Sequence, residues 1–118
     1  MTMPSSIVCE PGAVIVVRIR FAEGIGVKKR PAVVLTNGPY HESRADAIVV
    51  ALSTAPRSEY YGDCDLPDWR TAGLPQPTKA KGVVQTIERT PVEGFLGTSS
   101  PADFERVKES IRLILGLA

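Results

Sequence analysis

A chain of 118 residues suits one compact domain that buries a core without metal or disulfide staples. Its 14 Lys and Arg against 13 Asp and Glu leave a net charge of +1, so bulk charge does not announce a nucleic-acid binder and any electropositive footprint is local. No stretch reaches the ~20 apolar residues of a membrane-spanning helix.

Residues 1–10 lack the charged and apolar blocks of a signal peptide and read as a flexible N-terminal segment, with 11–118 as a single domain. Cys9 and Cys64 stand far apart, outside any CxxC or Cys/His cluster. They read as reduced thiols of a cytoplasmic protein, with no metal site and no cofactor expected.

Pro11-Gly12 punctuates the start of a first strand, Ala13 to Phe21. Ala13, Ile15, Val17, Ile19 and Phe21 share one face, which predicts a strand with one buried side; Arg18 and Arg20 lie on the other. Ala22 to Lys29, followed by Arg30, reads as a flexible basic hairpin loop; its Gly24-Ile25-Gly26 lacks the strand-to-helix context of a nucleotide fingerprint. Pro31 opens a second strand, Ala32 to Thr36, and Asn37-Gly38-Pro39 marks a turn. A third strand, Asp46 to Thr54, is apolar on both faces and therefore central; it ends in two hydroxyls, Ser53 and Thr54, on opposite sides. Beyond the polar loop Ala55 to Glu59, a fourth strand covers Tyr60 to Leu66, with Asp63 and Asp65 on one solvent-facing side.

Asp68 is placed to cap a helical turn, Trp69 to Ala72, stopped by Gly73. Leu74 to Lys81 reads as an irregular linker, Val83 to Arg89 as a fifth strand, and Phe95-Leu96 as a further short one. Ser100-Pro101-Ala102-Asp103 has the form of a capped helix start, and Phe104, Val107, Ile111, Ile114 and Leu115 follow as an apolar stripe. Short strands with turn signals and one terminal helix predict a mainly β chain: a small antiparallel barrel or highly bent sheet with a C-terminal helix.

The order of these pieces resembles the MazF/PemK (Kid-like) toxins of type II toxin-antitoxin systems from about Glu10 to Leu117. The resemblance rests on Pro11-Gly12-Ala13-Val14-Ile15, Lys28-Lys29-Arg30-Pro31-Ala32-Val33-Val34-Leu35, Val49-Val50-Ala51-Leu52-Ser53-Thr54, Thr86-Ile87-Glu88, and Leu96-Gly97 before the helix. The basic-Arg-Pro-Ala-Val-Val-Leu string, followed some twenty residues later by a strand ending in Ser-Thr, is the specific part. The resemblance implies a homodimer of plug-of-the-barrel folds that cleaves single-stranded RNA sequence-selectively and without metal. It further implies a groove near the dimer interface where an antitoxin tail competes with RNA, and operator DNA bound through the toxin-antitoxin complex.

The matching positions put the catalytic arginine at Arg30 and the catalytic hydroxyl at Ser53, with Thr54 beside it. The Kid-like branch carries an acidic residue and an arginine where this chain has Ala80, Lys81 and Gly82; Glu88 is a displaced substitute.

Metal-independent cleavage uses the 2′-hydroxyl of the RNA as nucleophile, so the protein must stabilise charge on the phosphorane. A planar, permanently charged guanidinium suits that role, which fits Arg30, and Ser53 can hydrogen-bond the phosphate. Lys28, Lys29, Lys79 and Lys81 are candidates for RNA phosphates, set against ordinary solvated charge. Tyr40, Tyr60, Tyr61 and Trp69 offer faces for unpaired bases, although Tyr61 and Trp69 equally suit core or dimer packing. His41 reads as a solvated loop histidine.

Three other readings compete. One is a catalytically silent relative that binds RNA or antitoxin. Another is a CcdB-like poison of a protein target, whose C-terminal features Ile114 to Ala118 do not resemble. The third is a serine hydrolase of Ser53, His41 and Asp46, which lacks a nucleophile elbow.

Overall fold

The computed structural model describes residues 9–20, 26–54, 60–89 and 92–117. Most of the N-terminal segment, Phe21, the start of the basic loop and the loop Ala55 to Glu59 lie outside the described residues. The elements are β1 (Ala13–Arg20), β2 (Val27–Val34), α1 (Gly38–Ser43), β3 (Asp46–Ser53), β4 (Cys64–Asp65), β5 (Lys79–Glu88), β6 (Gly94–Thr98) and α2 (Pro101–Leu115). The strands form one antiparallel sheet in the order β4-β5-β3-β2-β1-β6. It is the mainly β, bent-sheet architecture that the sequence predicts: a curled half-barrel with a C-terminal helix.

Two apolar layers hold it. Ile15, Val17 and Ile19 of β1 meet the small residues Ala32, Ala47 and Ala51 on one face, and small side chains there let the sheet curl tightly. The curl brings the end of β1 to β5, where the Arg20 N–H donates to Gln85 Oε1 at 2.6 Å. On the opposite face Val14, Val33, Val50, Leu52 and Ala80 pack with Leu66, Leu74 and Val107 of α2. The first half of β1 is therefore buried on both faces, not one.

The second strand starts at Val27, well before Ala32, so Lys28, Lys29 and Arg30 are strand residues and not loop residues. Pairing with β1 recruits them: Arg18 faces Lys29 and Val17 faces Arg30. Pro31 is tolerated inside the strand because alternation turns its nitrogen toward β3, where the ladder stops at Ala32. The Asn37-Gly38-Pro39 turn grows into α1, since the Asn37 side chain accepts the Tyr40 N–H.

The predicted fourth strand shrinks to two residues. Tyr60 to Asp63 fold into a turn closed by the Asp63 N–H on the Tyr60 carbonyl at 3.0 Å. The fifth strand gains Lys79 to Lys81, which the sequence reads as linker, and Gly82. From Val50 to Leu52, β3 advances two residues while β5 runs from Val84 to Ala80, so β5 bulges there.

Helix α2 begins at Pro101 with Ser100 as cap, its Oγ accepting the Asp103 N–H at 3.1 Å. Gly116 ends it in the left-handed region. Val107 is buried and Phe104, Ile111 and Ile114 are half-buried, whereas Leu115 is 61% exposed and lies outside the packed stripe. Asp68 does not cap its own turn. Its carboxylate accepts the Ser100 hydroxyl at 2.7 Å and its N–H donates to buried Asp103 at 2.8 Å, which ties the Trp69 turn to the helix. Because Ser100 serves both as cap and as this tie, Ser100→Ala is expected to cost about 1–2 kcal/mol in denaturant unfolding. A change within error would assign the tie to Asp103 alone.

Candidate active site

Antiparallel pairing sets three side chains in a row on one face of the sheet, and the continued register adds a fourth. Asp65 of β4 faces Lys79 of β5, and Lys79 faces Ser53 of β3. The β2–β3 register pairs Ala32 with Ala51, so extending it by two residues sets Arg30 across from Ser53. Carboxylate, ammonium, hydroxyl and guanidinium thus span three strand spacings, about 14 Å. Both strands run past the end of their own ladder, which leaves Arg30 and Ser53 as polar side chains at the rim of an apolar face.

Arg30 is half-buried and its Nη1 donates to the Lys29 carbonyl at 2.9 Å. Among the described residues no carboxylate stands within ion-pair distance of it, so its fork remains available to an anion. Exposed Lys28 lies on the same face. Lys29 faces the other side, where it shares Glu93 with Arg18 at 3.4 and 3.0 Å; those partners, Arg18 first, hold the Glu93 carboxyl below its ordinary range.

Lys79 and Lys81 are not loosely solvated: each ammonium side chain is only 15% exposed and ion-paired, Lys79 to Asp65 at 3.2 Å and Lys81 to Asp63. The Asp63 side chain is 4% exposed, against the solvent-facing position read from the sequence, whereas Asp65 is 75% exposed. Lys81 also stands 5.2 Å from the centre of the Tyr60 ring. Both lysines thus find their carboxylate partners in the segment Asp63 to Asp65. The spacing of Asp63 and Asp65 matches that of Lys79 and Lys81, a cross-strand complementarity legible in the sequence but not used there. Thr54 follows the end of β3 and borders a cavity with Asp65, Trp69 and Lys79.

Tyr40 lies at the other end of the molecule. Helix α1 precedes Asp46, and β3 carries the chain about 23 Å from there to Ser53. Arg44 stacks 5.2 Å from the Tyr40 ring and bonds Asp46 at 2.8 Å. The same separation dissolves the triad of Ser53, His41 and Asp46.

His41 is buried, not solvated: its Nε2 lies 2.5 Å from Thr36 Oγ1, and Arg89 anchors the carbonyls of His41 and Arg44. Burial, then the Arg89 charge, lowers the His41 pKa from its ordinary 6.5. The unfolded chain therefore binds the proton more readily. Stability should be full above about pH 6.5 and fall on acidification until the pH passes the folded value. Melting temperatures from pH 7.5 to 5 should show this drop, and His41→Gln should flatten it; equal slopes would acquit His41.

Residues 10–115 match the family of PemK-like, MazF-like toxins of type II toxin-antitoxin systems. The chain belongs to this family. No curated protein matches it. Among solved structures it is similar to a mycobacterial endoribonuclease in complex with its cognate antitoxin, at 20% identity and a TM-score of 0.68 over 92% of this chain and 96% of that one. It is similar to MazF of Deinococcus radiodurans at 17% identity and a TM-score of 0.71 over 92% and 97%. A MazE-MazF complex of the same organism gives 16% and 0.69 over 94% and 99%. At such identities the likeness shows the fold.

Proposed function

We propose that this family member is a sequence-selective endoribonuclease acting on single-stranded RNA without a metal, with Arg30 and Ser53 at its centre. The observation that carries this reading is the row Asp65–Lys79–Ser53, with Arg30 two residues beyond the β2–β3 ladder on the same face and, among the described residues, with no carboxylate at ion-pair distance. The 2′-oxygen attacks phosphorus and the bond to the 5′-oxygen breaks, leaving a 2′,3′-cyclic phosphate and a 5′-hydroxyl. Water takes the 2′ proton and returns one to the 5′-oxygen. Arg30 neutralises the phosphorane through two parallel hydrogen bonds, Ser53 donates to a phosphate oxygen, and Lys28 and Lys79 add cationic contacts.

A cognate antitoxin silences the protein, consistent with the antitoxin-bound relatives. A homodimer buries the exposed Tyr61, Leu113, Leu115 and Leu117, and any operator DNA is bound through the antitoxin. The cytoplasm is the expected site of action.

The test is incubation of antitoxin-free protein with a long single-stranded RNA in excess EDTA, beside Arg30→Ala and Ser53→Ala. Discrete cuts by the parent that both variants lose support the reading. Equal cutting by all three rejects the site, and no cutting by the parent on RNAs of varied sequence favours a binding-only relative.

A further inference from the structure

Beside the row opens a cavity of about 260 Å³. Its walls are Pro67, Trp69 and Pro77, with Thr54, Asp65 and Lys79 at its polar side. Two prolines and an indole make an apolar slot, and the Arg70 guanidinium stands 4.5 Å from the centre of the Trp69 ring. Lys79 is at once the cross-strand neighbour of Ser53 and a wall of the cavity, so a nucleotide whose phosphate lies over Ser53 has its base within reach of the slot.

The Asp65–Lys79 pair differs from its neighbour Asp63–Lys81. Asp63 is enclosed and also binds the Tyr60 N–H at 2.9 Å, which makes that pair a staple for the turn. Asp65 is open to solvent, where an ion pair contributes little to stability. Its carboxylate presents two acceptor oxygens next to an ammonium with three donors.

We infer that this cavity is a nucleobase subsite beside the scissile phosphate, with Trp69 as stacking wall and Asp65 and Lys79 as the readers of the base edge. Guanine fits best. Its N1–H and N2–H₂ donate to the two oxygens of Asp65, and its O6 accepts from Lys79. Cytosine and adenine offer a single amino group beside a ring acceptor, and uracil sets two carbonyls against the carboxylate. Unpaired bases are commonly read by stacking plus hydrogen bonds along this edge. The inference rests on the reading of this face as an RNA site and adds its specificity.

Trp69 is the sole tryptophan, so its fluorescence reports on the cavity directly. The probes are four 2′-O-methyl hexanucleotides, uridine throughout except for one G, C, A or U at the third position; the blocked 2′-oxygen prevents cleavage. The G probe is expected to quench Trp69 with a half-saturation about tenfold lower than the U probe, as one well-read base edge provides. Asp65→Asn, a surface change that leaves the circular dichroism unaltered, should bring the four probes within about twofold of one another. Absent quenching, equal quenching by all four, or a preference that survives Asp65→Asn would overturn the subsite. The ordinary ribo-hexanucleotides, assayed for cleavage in parallel, separate the two readings. Base-selective quenching without cleavage keeps the subsite and rejects the nuclease, whereas cleavage with base-indifferent quenching does the reverse.

Discussion

Arg30→Ala is expected to slow RNA cleavage by about 10²–10³-fold while moving the melting temperature by no more than about 2 °C. Both halves follow from the surroundings of the side chain. The guanidinium bonds the carbonyl of its own neighbour, Lys29, and among the described residues it supports no carboxylate, so its loss leaves no buried partner stranded. In the phosphorane, by contrast, two N–H groups meet oxygens whose charge has just increased, and alanine removes that differential binding. Arg30→Lys keeps the charge but not the fork, and should fall between parent and alanine. Single-turnover rates on one RNA decide the matter: a variant retaining more than a tenth of the parental rate would remove Arg30 from the centre of the chemistry. The rate loss should appear equally at preferred and non-preferred cleavage sites.

Gly73→Ala is expected to destabilise the fold by about 2–4 kcal/mol, lowering the melting temperature by roughly 10 °C or more. Gly73 has a φ of +80°, which an L side chain adopts only with strain, and an added Cβ would fall on the Leu96 carbonyl. The clash is with backbone, and rotamer changes cannot relieve it. Gly97, across the contact, faces the Ala72 carbonyl in the same way, with a Cβ at 2.7 Å. The Trp69 turn therefore docks on β6 backbone to backbone, with a glycine on each side. Thermal unfolding with the neighbouring exposed change Thr71→Ala as control tests this. A loss under about 1 kcal/mol would mean that the turn can lift off β6, and the cavity beside Trp69 would then lack the rigid wall that base reading needs.

Period-two apolarity determines β1, a continuous apolar run determines β3, and period-3.6 apolarity with a Ser-Pro start determines α2, because these signals concern neighbours along the chain. Arg30 and Ser53 stand out as candidates for another reason: a recognisable string surrounds each of them. What the sequence could not decide was partnership. Lys28 to Arg30 read as loop because they are charged and follow glycines, yet pairing with β1 makes them strand. Asp63 read as solvent-facing because nothing local names Lys81 as its partner, whereas Asp65 is solvent-facing as read. His41 read as a loop residue because Arg89, which anchors its carbonyl, becomes a neighbour only when β3 and β5 pair. Strand pairing and burial are decided between residues distant in sequence, and in this protein the charged rim of the site is built from such pairings.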